Sequence, residues 1–393
     1  MKGALLLVFI SLLHLDIFVL HETPFTFSPS FIPFFLLSFL AIPKFFHQNF
    51  MDSSSRKMLG KILVLLLPVT LAWFVAMFKG GGVGDYVELL SYFLLFCVVF
   101  IVSYHWDSNI LLIFVLVAMI NIFLGFYGLY SYYNLTIYKY RLVYTSQVNP
   151  SWFAASLSGS LFGLIFIATQ KRLFKKGKLM LAIMAMLLLI FLILTQTLNS
   201  IIAMIFGLIA FGYARSKNPF KLVQNIFFLG VVLYLVVQVF TTMLDLPEIQ
   251  ISKIETIEGG DANTISSGRI GRWEVFLSEP ITFFGNGLRF GVQSLTNEFY
   301  TQGDPHNSFI SIYFEMGLFG LLLFLSSIIY LFRWFTKYRV KMPVVFGFYV
   351  YLIFSCLGND VFYYKYFWIN LSLLSMMISY HFSPFYERSR ILK

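Results

Sequence analysis

The chain has 393 residues, of which 59% are hydrophobic, 20% aromatic and only 12% charged. Soluble domains carry about 25% charged residues, so composition excludes an ordinary globular enzyme and points to a polytopic membrane protein. The net charge of +10 invites a nucleic-acid reading, but the basic residues form short clusters between apolar runs, the pattern of cytoplasmic membrane loops.

In chain order, Met1-Lys2-Gly3 and the apolar run 4–20 have the outline of a signal peptide. His21-Glu22-Thr23-Pro24 follows where small residues would mark a cleavage site, so the run reads as a retained first span. A crossing needs roughly 20 apolar residues. The predicted spans are 3–20, 27–42, 62–78, 87–104, 110–130, 153–169, 179–196, 200–214, 222–241, 308–332, 344–358 and 366–382. With the N-terminus inside, the inward segments hold 20 of the 28 lysines and arginines, which is the positive-inside bias. The expected fold is therefore all-α and polytopic, with about twelve transmembrane helices and both termini cytoplasmic. Residues 1–241 form spans one to nine, 242–307 a large extracytoplasmic loop, and 308–393 the last three spans and a basic tail.

Several features outside the long polar loop carry little chemistry. Cys97 and Cys356 lie inside apolar runs and read as packing residues. The Gly-rich 79–85 segment lacks the Lys-Ser/Thr of a P-loop and reads as a connector. His14 and Asp16 inside span one read as a polar pair between helices. The chain shows no internal repeat and no clearly broken helix with a midplane polar site, the marks of a transporter.

The 242–307 loop is different. Its acidic residues outnumber its basic ones nine to four, so it is not a patch for anionic lipid. Its basic residues are mostly arginine, whose planar fork suits bidentate recognition of phosphate. Arg269 and Arg272 flank Gly271 just before Trp273, and a Gly285-Asn286-Gly287 turn follows. His306 stands before span ten in Asp304-Pro305-His306-Asn307-Ser308, where Asn307 or Ser308 can cap the helix and an imidazole can accept a proton near neutral pH. Glu315, nine residues on, is an intramembrane carboxylate about half a turn out of phase with His306; it reads as a tie to a neighbouring helix or as a further substrate contact. A second outward loop, 131–152, is rich in tyrosine and holds Arg141 and Asn149-Pro150.

Arg269-x3-Trp273, the Gly285-x-Gly287 turn, and His306-Asn307 leading into Glu315-Met316-Gly317-Leu318-Phe319-Gly320 resemble the signature of the O-antigen ligase/polymerase superfamily. The resemblance is specific over 266–320 and architectural elsewhere. It implies a bacterial cytoplasmic-membrane glycosyltransferase with an extracytoplasmic site. The donor would be an undecaprenyl-diphosphate-linked glycan, the acceptor a second glycan, and chain-length regulators or flippases its protein partners. Arg269 and His306 would be catalytic: Arg269, helped by Arg272, would stabilise the leaving diphosphate, and His306 would deprotonate the acceptor hydroxyl, with inversion. Arg141, Asn307 and Glu315 would contact substrate. No metal or other cofactor and no nucleic acid is implied. One position departs from the family: members often carry Ser-Arg where span seven turns into span eight, whereas this turn reads Thr195-Gln196-Thr197-Leu198-Asn199-Ser200. The leading expectation is a Wzy-type polymerase of lipid-linked repeat units. The alternatives are an O-antigen ligase that uses lipid A–core as acceptor and, from another class, a flippase for lipid-linked oligosaccharides.

Overall fold

A computed structural model describes residues 36–39, 53–78, 84–104, 110–131, 142–143, 149–169, 175–216, 224, 230–231, 269–278, 280, 282–288, 305–358 and 365–382. Predicted span 3–20, most of 27–42 and most of 222–241 lie outside these residues, as do Arg141 and much of the 242–307 loop. Among the described residues every regular element is a helix. They are α1 (Ser53–Leu63), α2 (Leu66–Phe78), α3 (Gly84–Tyr104), α4 (Ile110–Ser131), α5 (Pro150–Ala168), α6 (Lys175–Leu194), α7 (Leu198–Arg215), α8 (Arg269–Ser278), α9 (Ser308–Tyr338), α10 (Pro343–Gly358) and α11 (Lys365–Phe382). All but α8 fall on predicted spans or their flanks. Among the described residues six helical stretches, Leu59–Phe78 across α1 and α2 being one of them, are long and apolar enough to cross a membrane, and shorter apolar helices run over Leu89–Ser103 and Pro343–Gly358. A helix satisfies its backbone polar groups internally, which is what a span in hydrocarbon requires.

Two boundaries differ from the expectation. The third predicted span is interrupted between α1 and α2. Pro68 has no N–H for the Val64 carbonyl and its ring crowds that group; the Val64 carbonyl instead accepts from the Leu67 N–H at 3.1 Å. At the other end of the chain, α9 continues past residue 332 to Tyr338. Trp334 and Phe335 are buried there, packing on Phe382 and Tyr349 respectively, so the apolar face outlasts the first basic residue, Arg333.

Small residues let the helices approach closely. Between α7 and α10, Gly207 and Gly347 face one another: a methyl group on Gly347 would lie 2.6 Å from the Gly207 carbonyl oxygen. Phe206 stacks on Phe354 beside them, with centroids 4.0 Å apart. Buried polar groups tie other pairs. Ser156 Oγ donates to Asn121 Oδ1 and Asn121 Nδ2 to Ser160 Oγ, both at 2.8 Å, joining α4 to α5. Asn370 Nδ2 of α11 donates to the Ala155 carbonyl of α5 at 2.9 Å. Each such bond is worth about 0.6 kcal/mol in a membrane interior, enough to fix register more than to drive association.

Candidate active site

The start of α9 is set by sequence. Asn307 has extended backbone, and its Oδ1 accepts from the N–H groups of Phe309 and Ile310, the N-cap arrangement that satisfies the open donors of a first helical turn. Its Nδ2 donates to the Leu357 carbonyl in the last turn of α10, at 3.2 Å. Both ends of the Asn307 side chain are thus engaged, and the residue is 8% exposed. Asn199, one residue into α7, reaches that same turn of α10 and donates to the Ser355 carbonyl at 3.4 Å. The turn that departs from the family pattern therefore stands at the same end of the bundle as His306.

Nine residues into α9 the helix breaks. Gly317 has φ 68° and ψ −169°, a combination open essentially only to glycine. A break inside a membrane helix frees carbonyls before it and N–H groups after it. Residues 282–288 satisfy them in both directions. The N–H groups of Asn286 and Gly287 donate to the carbonyls of Phe314 and Glu315, at 2.9 and 3.1 Å. The N–H groups of Leu318 and Phe319 donate to the carbonyls of Thr282 and Phe283, each at 3.1 Å. Gly285 (φ 81°) and Gly287 (φ 101°) give the segment its turn, and any side chain on Gly285 would run into the Glu315 carbonyl. On its other side the segment lies on α2: the Leu288 N–H donates to the Ala72 carbonyl at 3.3 Å, and Gly287 packs against Ala76.

The sequence showed no clearly broken helix; α9 has one. The cause is local, since only a glycine with its partner segment already docked could hold that backbone. It also separates the break from the open half-helices of transporters, because the carbonyls and N–H groups named above are engaged by protein.

The arginine-bearing helix α8 rests on the segment of α9 before the break. Phe276, 1% exposed, meets Phe314 edge-on at 5.0 Å and forms a small apolar cluster with Ile310, against which Trp273 and Val275 pack. Trp273 Nε1–H donates to the Pro305 carbonyl at 2.8 Å. That carbonyl belongs to the peptide bond leading into His306, which is half-buried and has φ 52°, in the left-handed region uncommon for a residue with a Cβ.

The structure thus packs α8, which carries the half-buried Arg269 and Arg272, against the head of α9, which His306 and Asn307 precede. Glu315 is 1% exposed beside the break, and its carbonyl is part of the exchange with Gly287. Arg141 is outside the described residues. Asn149 caps α5, its Oδ1 accepting from the Ser151 N–H at 2.8 Å, with Pro150 at the first helical position. Sequence reasoning missed Trp273 as a hydrogen-bond donor, Gly317 as a break and Asn199 as a clamp. Only Gly317 left a visible signal, a glycine inside an otherwise apolar span.

Residues 183–325 match the family model described as O-antigen ligase. That stretch is similar to an O-antigen ligase domain. The match supports the O-antigen ligase/polymerase superfamily and indicates an enzyme of that type, acting on lipid-linked glycans in a membrane. It runs from α6 to the part of α9 beyond the break, so it encloses Arg269, the 285–287 turn, His306 and Gly317. No curated protein matches the chain.

Proposed function

We propose that this protein is a membrane glycosyltransferase that polymerises undecaprenyl-diphosphate-linked repeat units at the outer face of the bacterial cytoplasmic membrane. The observation that carries the reading is the Trp273–Pro305 hydrogen bond, which ties the helix bearing Arg269 and Arg272 to the residue just before His306, inside the segment of the family match. A cation pair and an imidazole held on one frame suit a displacement in which negative charge grows on one side and a proton leaves on the other.

In that displacement the acceptor hydroxyl oxygen attacks the anomeric carbon and the bond from that carbon to the diphosphate oxygen breaks. His306 takes the hydroxyl proton. Arg269, with Arg272, receives the diphosphate, whose departure charge needs only fixed donors. The anomeric configuration inverts because nucleophile and leaving group lie on opposite faces. The phosphoester bond already stores the driving free energy, so neither a metal nor a nucleotide enters the scheme.

The test is purified full-length protein in nanodiscs with lipid-linked repeat units and EDTA, products resolved on a gel. A ladder of lengthening glycans is expected. The family description favours a second reading, transfer to a lipid A–core acceptor; product only when that acceptor is added would select it. If neither product forms from folded protein, the enzyme reading fails.

A further inference from the structure

We propose that Trp273 is a positioning residue for His306, fixing the imidazole against the arginine helix through a single hydrogen bond. The inference rests on His306 being the base. The residues on both sides of His306 are held by different elements. Before it, the Pro305 carbonyl accepts from Trp273 Nε1–H of α8 at 2.8 Å. After it, Asn307 caps α9 and holds the Leu357 carbonyl of α10. With both neighbours fixed, His306 is held at φ 52°, a backbone conformation it would rarely adopt alone. The side chain is directed by that backbone, so releasing either neighbour lets the imidazole move.

Trp273 lies four residues after Arg269, on the same face of α8, so the bond also sets the register between cation and base. The indole serves two separable purposes. Its ring packs with Val275 against Phe276, Ile310 and Phe314, and its N–H alone holds Pro305. Trp273→Phe keeps an aromatic ring in the cluster and deletes the donor. A shift of about 1 Å at a reacting group costs up to about 10²-fold in rate.

The experiment compares Trp273→Phe with wild type in nanodiscs on lipid-linked repeat units, then repeats the substitution in a His306→Gly background. Glycine takes the positive φ without strain, so the backbone route survives while the imidazole is gone. We expect Trp273→Phe to lower kcat about 10- to 100-fold with KM unchanged in the first background. In the second it should leave the residual rate within about 2-fold, because the group it positions is absent. An equal loss in both backgrounds would overturn the proposal and assign the bond to general support of α8. The pH–rate profile gives an independent reading: displacement of the imidazole moves the limb that His306 controls, whereas a purely structural loss lowers the rate by one factor at every pH and contradicts the proposal. Failure of the base assignment shows itself separately, as a His306→Gly protein with wild-type rate.

Discussion

Glycine holds two regions of this molecule together for opposite reasons. Between α7 and α10, Gly207 and Gly347 are ordinary helical residues whose missing side chains let two backbones touch. At the junction of 282–288 with α9, Gly285, Gly287 and Gly317 all have positive φ and the backbones exchange hydrogen bonds. The first interface is a packing surface and tolerates graded change. The second is a backbone lock, in which one wrong dihedral angle breaks several bonds at once. The proposed site is built on the second.

The largest effect should therefore come from Gly317→Ala. Alanine resists φ 68° with ψ −169°, and its methyl group would strike Gly285 and the Phe283 carbonyl. The strain alone is about 1–3 kcal/mol, and losing the four exchanged bonds adds to it. We expect glycan transfer to fall at least about 100-fold while 282–288 becomes open to limited proteolysis. A protected, active Gly317→Ala protein would erase the distinction between the two regions.

Gly347→Val should come next. Its branched side chain meets the Gly207 carbonyl and Phe211, and overpacking of this kind costs about 1–3 kcal/mol. The thermal midpoint should drop, yet protein that remains folded should keep most of its transfer rate, since the lock is elsewhere. Asn307→Ala removes a helix cap worth about 1 kcal/mol together with the bond to α10. It should lower the thermal midpoint modestly and kcat more than KM. Asn199→Ala loses only a long bond to Ser355 and should change stability by at most about 1 kcal/mol. A loss of transfer far beyond that would mean Asn199 has a part in the reaction as well as in the fold.

Much of the helical framework was legible in the sequence because a span must be apolar along its whole length, so hydropathy reports it directly. One cap was legible too: Asn307 before Ser308 is a residue type whose side chain competes for open N–H groups. The break in α9 was not, because Gly317 in an apolar run is compatible with an intact helix until the segment that satisfies the freed backbone is known. That segment lies some thirty residues earlier, and no local pattern announces the pairing. The Trp273–Pro305 bond was invisible for the same reason, being an indole that looks like one more interfacial aromatic. The family match covers the stretch that carries the resemblance, and the geometry places Trp273, Gly285, Gly287 and Gly317 around the first part of α9.

The most direct test of His306 as the base is the single-turnover rate of glycan transfer by His306→Ala, made on protein whose thermal midpoint matches wild type. Loss of a positioned general base typically costs about 10²- to 10⁴-fold. A fall in that range, with lipid-linked donor still bound, is the predicted result. Transfer at the wild-type rate would contradict the assignment of His306 and, with it, the positioning purpose of the bond from Trp273.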